Sequence, residues 1–273
     1  MNGGERGGAE LAGPRAHATG QHAPRVPGKA APSLIGCAGW SIARASAAAF
    51  PAEGSQLERY ASVFDAVEIN SSFYRPHRPQ TYARWAESVP ERFRFSVKLP
   101  RSITHDQRLH DIDDLLEQFA VEVGSLGKKL GCVLVQLPPS LRFDPALAQE
   151  FTTRLRGRFD CMLALEARHA SWFDSDASAL LEQRHITRVV ADPPAGQPGP
   201  HQPTTSERYW RLHGSPHIYY SAYSDAFLAR LRAELDSARA AGHRAWCIFD
   251  NTASGAATGN ALALQVPTTD KEN

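Results

Sequence analysis

Charged and amide side chains punctuate this 273-residue chain in a regular way: Glu68, Asn70, Lys98, Gln136, Glu166, Arg168, Asp192, Arg211, His213 and Asp250 each stand at or just past the end of a short apolar run. Four carboxylates (Glu68, Glu166, Asp192, Asp250) against three fixed cations (Lys98, Arg168, Arg211) make a nearly balanced set. Such a set tolerates burial through mutual pairing, where four bare carboxylates would need an added cation. Carboxylates crowded beside cations have their pKa values pushed apart, the condition for obtaining one acid and one base. Glu68 and Glu166 are the candidate pair, with Lys98 and His213 beside them as catalytic candidates. Lys98, hemmed in by acids, is expected to stay protonated, which favours charge fixing or proton donation over Schiff-base chemistry. The plainer reading of the same residues is a salt-bridge network that braces the structure.

The elements that must position these groups follow a rhythm. Apolar runs at 34–38, 66–70, 93–99, 132–137, 161–166, 187–191, 209–213 and 245–249 have the length and composition of strands buried on both faces. Helical spacing occupies 57–64, 80–89, 112–126, 145–155, 177–183, 225–240 and 255–265, with apolar stripes such as Leu115, Leu116, Phe119, Val123 and Leu126. Eight strands and seven helices predict a single (β/α)8 TIM-type barrel over 34–266. The sixth connection is irregular, because Pro193, Pro194, Pro198, Pro200 and Pro203 leave no room for a normal helix. Barrels of this kind carry their chemistry at the carboxyl ends of the strands, where the punctuating residues stand. Alternate strand residues face opposite sides. If the charged positions point inward, Val67, Ile69, Val97, Val135, Leu165, Leu212 and Phe249 face the helices.

The loops add binding candidates. The turn Asp250-Asn251-Thr252-Ala253-Ser254-Gly255 opens a helix after strand eight, where backbone N–H groups and hydroxyls suit an anion; an ordinary helix cap is the competing reading. Phe73-Tyr74-Arg75-Pro76-His77-Arg78, joined by Arg101 and His105, interleaves aromatics with cations. Among the aromatics, Tyr74 and Trp172 follow inward polar residues most closely. The substrate-contact set is therefore Asn70, Tyr74, Gln136, Arg168, His169, Trp172, Asp192, Arg211, Asp250 and Asn251. No nucleotide-cofactor motif is present: there is no Walker loop, no GxGxxG after a strand and no GxSxG elbow. A divalent metal held by His213 with Glu166, Asp192 or Asp250 stays open, although no HxH or HExxH spacing supports it.

A net charge of +1 disfavours a dedicated nucleic-acid surface, and no run approaches the eighteen or so apolar residues of a membrane span. Cys37, Cys132, Cys161 and Cys247 form no CxxC pair and lie in or beside strands, which reads as reduced structural thiols and a cytoplasmic protein. Residues 1–33, rich in Gly, Ala, Pro and Arg, and residues 267–273 read as disordered tails.

Beyond these spacings the chain resembles the YecE-like family, domain of unknown function 72, from about Leu34 to Gln265. The resemblance rests on Ile35-Gly36-Cys37-Ala38-Gly39-Trp40, Val67-Glu68-Ile69-Asn70-Ser71-Ser72-Phe73-Tyr74, Arg94-Phe95-Ser96-Val97-Lys98 and Ile103-Thr104-His105. It continues through Leu134-Val135-Gln136-Leu137-Pro138-Pro139-Ser140, Glu166-Ala167-Arg168-His169, Ser171-Trp172-Phe173, Arg211-Leu212-His213-Gly214 and Asp250-Asn251-Thr252. The likeness implies a β/α barrel with its site at the mouth, and no reaction. Ala167, Ala170 and Asp250 depart from the Phe, Pro and Asn frequent in the family, which lowers the rank of Asp250 as an essential acid. The combined expectation is a hydrolase- or isomerase-type enzyme using Glu68 and Glu166 as acid and base on a small polar, anionic or sugar-like substrate. A metal-dependent phosphoesterase or nuclease and a non-catalytic ligand-binding protein are the alternatives.

Overall fold

The computed structural model of the protein describes residues 33–265. The expected tails lie outside the described residues, except that Ser33 opens the first strand. In chain order the elements are β1 (Ser33–Cys37), α1 (Gln56–Ala61), β2 (Ala66–Ile69), α2 (Pro79–Glu87), β3 (Arg94–Lys98), α3 (Asp113–Gly124), β4 (Leu130–Gln136) and α4 (Pro145–Arg158). Then follow β5 (Met162–Glu166), α5 (Ser175–Gln183), β6 (Ile186–Arg188), β7 (Val190–Asp192), β8 (Arg208–Leu212), α6 (Asp225–Ala240), β9 (Ala245–Phe249) and α7 (Ala256–Gln265). Local chemistry starts several helices where the periodicity begins. Ser55 and Glu58 form a reciprocal capping box on α1, Asp144 caps α4 ahead of Pro145, and Ser224 caps α6. No helix among the described residues is long and apolar enough to cross a membrane.

Every strand pairing is parallel, and the strands form two sheets, β1-β9-β8-β7 and β2-β3-β4-β5-β6. The expected sixth strand is two three-residue strands. Its first half pairs with β5 and its second with β8, and the chain changes sheet at Val189, whose N–H bonds Leu165 O at 2.9 Å. The Pro-rich stretch that follows holds no helix, as its prolines require.

Side-chain hydroxyls tie off both places where the ladder breaks. Between β1 and β2 only Ala38 and Glu68 form a bridge. One step earlier the Tyr60 hydroxyl accepts from Cys37 N–H (2.8 Å) and donates to Ala66 O (3.0 Å), so neither buried backbone group is left unpaired. The strands approach so closely here that a Cβ on Gly36 would stand 2.0 Å from Ala66 O. Beside β6, the Thr204 hydroxyl accepts from Arg188 N–H (3.0 Å) and donates to Ile186 O (2.6 Å).

Strand parity divides the interior as alternation dictates. Val67, Ile69, Val97, Val135, Leu165, Leu212 and Phe249 pack with the helix residues in the larger core. Leu34, Ala66, Cys132, Leu134, Met162, Ala164, Val189, Ala191, Tyr209, Trp246 and Ile248, drawn from both sheets, form a second apolar cluster. Glu68, Gln136, Glu166, Arg211 and Asp250 stand in the register of this inner cluster, toward the carboxyl ends of their strands. All four cysteines are free; Cys37, Cys132 and Cys247 are buried, and burial pushes the Cys37 thiol up to about 12.

Candidate functional site

Arg211 organises the polar groups above the inner core. Its guanidinium meets Glu68 side-on, with Nη2 to Oε1 at 2.7 Å and Nε to Oε2 at 3.0 Å. It reaches Glu166 through Nη1 (3.2 Å) and Asp250 through Nη2 (3.1 Å). Only a planar fork with several fixed donors can serve three carboxylates at once. Arg211 is 1% exposed; burial works against its charge, but Asp250, Glu68 and Glu166 together hold its pKa well above the ordinary value.

The carboxylates spend their remaining capacity on one another's neighbours. Glu68 also accepts from the Tyr209 hydroxyl (2.9 Å), which is in turn 2.9 Å from Ser96 Oγ. Glu166 Oε1 takes Arg168 through Nε and Nη2 (2.9 and 2.8 Å), and Oε2 takes the Gln136 amide (3.0 Å). His213 lies between two acceptors, with Nδ1 2.9 Å from Asp250 Oδ2 and Nε2 3.2 Å from Glu166 Oε1. A neutral imidazole has one donor, so satisfying both contacts requires the imidazolium. Burial opposes that charge, while Glu166 and Asp250 outweigh it and raise the His213 pKa. Burial would likewise raise Glu166 and Asp250. His213, Arg211 and Arg168 instead hold Glu166 well below the usual carboxylate range, and Arg211 and His213 hold Asp250 below it.

This geometry sets the expected acid–base pair inside the ion-pair network. Glu68 and Glu166 have every oxygen engaged, and His213, Arg211 and Arg168 hold Glu166 as the anion. Lys98 keeps the expected ammonium as its main form at neutral pH but without the expected partners, and it holds its proton less firmly than an ordinary lysine. The anticipated acid partners are taken by Arg211, and Lys98 makes no ion pair or side-chain hydrogen bond among the described residues. It is 4% exposed, with Nζ 3.9 Å from the centre of the Phe73 ring. Burial, aided by Arg211, pulls its pKa from 10.5 to about 8 against the pull of Glu68, Glu166 and Asp250.

Lys98 lines a cavity of about 420 Å³, together with Asn70, Phe73, Tyr74, Arg101, His105, Gln136, Arg211, Tyr219, Tyr220, Asp250, Thr252 and Ala253. Arg101 faces it while pairing with Asp106 at 3.1 Å, and Tyr74, Tyr219 and Tyr220 form an exposed aromatic rim. The buried Oδ1 of Asn70 has no hydrogen-bond partner. Burial, with Lys98 and Arg101 nearby, lowers the His105 pKa, which favours the neutral imidazole.

Several sequence candidates go elsewhere. Asp192 stands outside the ion-pair cluster and accepts from the Tyr223 hydroxyl at 2.9 Å. His169 caps the turn that follows it by accepting from Ser171 N–H. Trp172 is packed in the outer core with its indole N–H on Leu141 O at 3.1 Å. Asn251, fully buried, donates to Ser221 O and Asn260 Oδ1, both at 2.9 Å. The expected backbone anion cradle after β9 is largely consumed: Ala253 N–H bonds Tyr219 O, Gly255 N–H bonds Thr252 O, and Ser254 Oγ bonds Tyr220 O. Among the described residues no group of three or more His, Cys, Asp or Glu side chains is disposed to hold a metal ion. Tyr209 went unrecognised as a partner of Glu68, although its position two residues before Arg211 on the same strand face is the signal that marks it.

Comparison with known proteins identifies the chain's family. The family model described as "Protein of unknown function DUF72" matches residues 34–272. The UPF0759 protein YecE of Escherichia coli K12 is 33% identical over 145 residues, covering 50% of this chain and 52% of YecE. The UPF0759 protein YunF of Bacillus subtilis is 29% identical over 176 residues, covering 60% of this chain and 62% of YunF. The matched stretch thus spans about half the length of YecE. A DUF72 family protein of Thermotoga maritima superposes with a TM-score of 0.70 at 26% identity, over 85% of this chain and 97% of its own. One of Enterococcus faecalis gives 0.71 at 21% identity, over 85% and 94%, a likeness of fold. An α/β protein with parallel sheets, this chain belongs to the DUF72 family.

Proposed function

We propose that the two sheets are halves of one eightfold β/α barrel and that the cavity at its mouth is the site of an enzyme acting on a small anionic substrate. The inner apolar cluster drawn from both sheets and the Arg211–Glu68 pair that spans them support the barrel reading. The observation that carries the functional reading is the state of Lys98: a buried ammonium on the cavity wall with no counter-ion, beside Arg101. A bound anion supplies the missing partner. An amine poised near neutrality can then move a proton at the substrate, with the neutral His105 imidazole on the same wall as acceptor. Glu68, Glu166, Arg168 and His213 act behind this surface as a scaffold, joined to it by Arg211 and Asp250, which line the cavity. They fix the position of Gln136 and occupy the carboxylate oxygens with which Lys98 would otherwise pair. A metal-dependent phosphoesterase fits less well, because the oxygens of Glu166 and Asp250 nearest His213 already face arginines.

The test is calorimetric titration of the wild-type protein and of Lys98→Met and Arg101→Gln variants with phosphate and small carboxylates, alongside turnover assays on anionic substrates. Saturable anion binding that both variants weaken, with turnover lost in Lys98→Met, is the expected result. Wild-type protein that binds none of these anions sinks the reading, and tight retention without turnover favours the non-catalytic binding protein.

A further inference from the structure

Among the residues lining the cavity, Lys98 and His105 are the nitrogen nucleophiles, and no Ser or Cys stands there. The Phe73 ring covers one side of the Lys98 amine, and among the described residues no carboxylate or carbonyl bonds it from another. Asn70 offers a buried acceptor without a donor, and Thr252 a hydroxyl. Arg101 supplies a fixed positive charge on the same wall. From this geometry we infer that Lys98 forms an imine with the carbonyl carbon of a small anionic carbonyl compound, an oxo acid or a phosphorylated ketone. The inference rests on the reading of the cavity as an anion site and names the substrate class for it.

The chemistry closes without an external reagent. The neutral amine attacks the carbonyl carbon, forming the C–N bond while the π pair moves to oxygen, which takes a proton. Loss of that oxygen with a second proton breaks the C–O bond and releases water, leaving the protonated imine. Both protons come from the starting ammonium, so nothing is oxidised or reduced and no co-reactant is needed. Neutral His105 can carry them from nitrogen to oxygen. The resulting iminium keeps the positive charge near the Phe73 face and near the substrate anion. The balance of ionisation favours the step: at pH 7 a pKa of about 8 leaves roughly a tenth of the amine neutral, against a few parts in ten thousand for an ordinary lysine.

The test is reductive trapping of the full chain with cyanoborohydride in the presence of pyruvate or dihydroxyacetone phosphate, followed by peptide mapping. Lys29, Lys128, Lys129 and Lys271, the other lysines of the sequence, serve as internal comparators. The expected result is a reduced adduct on the Lys98 peptide, dependent on both reagents, and exceeding the adduct on any other lysine by about two orders of magnitude, the ratio of neutral fractions. Labelling by pyruvate assigns an oxo acid, and labelling by dihydroxyacetone phosphate a phosphorylated ketone. Lys98→Arg should abolish the adduct. No adduct on Lys98 with either compound overturns the inference, as does equal labelling of all lysines. Titration of the same compounds without reductant separates the two levels. Binding without an adduct removes the imine and leaves the anion site, whereas neither binding nor adduct removes both.

Discussion

Replacing Arg211 with Met keeps the length and apolar stem of the side chain but withdraws the charge that three carboxylates share. The consequences can be apportioned. Glu166 would retain Arg168, Gln136 and His213, and Asp250 would retain His213, while Glu68 would be left with only the Tyr209 hydroxyl. Glu68 is 0% exposed, so its charge could not be hydrated without opening the structure. Stranding one buried carboxylate by removing its partner costs about 3–5 kcal/mol. For a domain of this size that corresponds to a Tm lower by roughly 6–20 °C.

The deficit should depend on pH in a defined direction. In the wild type, Glu166 and Asp250 have pKa values below their unfolded ones, so their contribution is present above the ordinary carboxylate range and lost as pH falls through the depressed folded values. In Arg211→Met a stranded carboxylate is relieved by protonation, so acid helps the variant while it harms the wild type. The Tm gap, followed by scanning calorimetry, should therefore be widest near pH 8 and shrink toward pH 4. Arg211→Lys should recover part of it, since a point charge reaches one carboxylate but cannot fork across three. A variant within about 2 °C of wild type at pH 8, or a gap that widens in acid, would refute the claim that Arg211 neutralises the cluster.

Three further outcomes follow from the same contacts. Lys98→Met should raise Tm by a few degrees at pH 7: the folded Lys98 pKa lies below its unfolded one, so the lysine costs stability that returns as pH rises from about 8 to 10.5, and the advantage of Met should vanish across that window in pH-dependent melts. His213→Gln should lose most stability at low pH; the His213 contribution is complete below the unfolded pKa near 6.5 and fades as pH rises through its elevated folded value, which urea denaturation at pH 5.5 and 9 would separate. Tyr60→Phe leaves the N–H of Cys37 and the carbonyl of Ala66 without their bridging hydroxyl, a loss of about 1–3 kcal/mol in urea denaturation with no effect on anion binding.

The sequence made some of this legible and hid the rest for identifiable reasons. Period-two alternation assigned Val67, Val97, Val135 and Leu165 to the helix side and Glu68, Gln136 and Glu166 to the inner side, because a buried strand cannot slip by one residue without exchanging its faces. Alternation specifies a face and says nothing of which neighbour from elsewhere in the chain a side chain meets there. Asp192 has the expected parity, yet Tyr223 takes it. Trp172 and His169 lie just beyond a strand, where parity no longer constrains direction, and they serve packing and capping. The break at Val189 was equally invisible: the run 187–191 has strand composition throughout, and only the pairing of its two halves with β5 and β8 divides it.

Lys98 is the most instructive case, since its place among the acids was read correctly and its pairing with them was not. Counting charges placed it among four acids and predicted a stable ammonium. What decides its pairing is competition between cations for the same oxygens. Arg211, reaching in from β8, presents several donors in one plane and pays little added entropy for each bond, so it takes Glu68 side-on and touches Glu166 and Asp250 as well. Arg168 and His213 complete Glu166. Lys98 then sits at the cavity wall, close enough to Arg211 to be destabilised by it and without a carboxylate of its own. The network expected to pair with this lysine leaves it unpaired, and burial, aided by Arg211, then loosens its proton. A substrate anion entering the cavity meets a site already short of one negative charge.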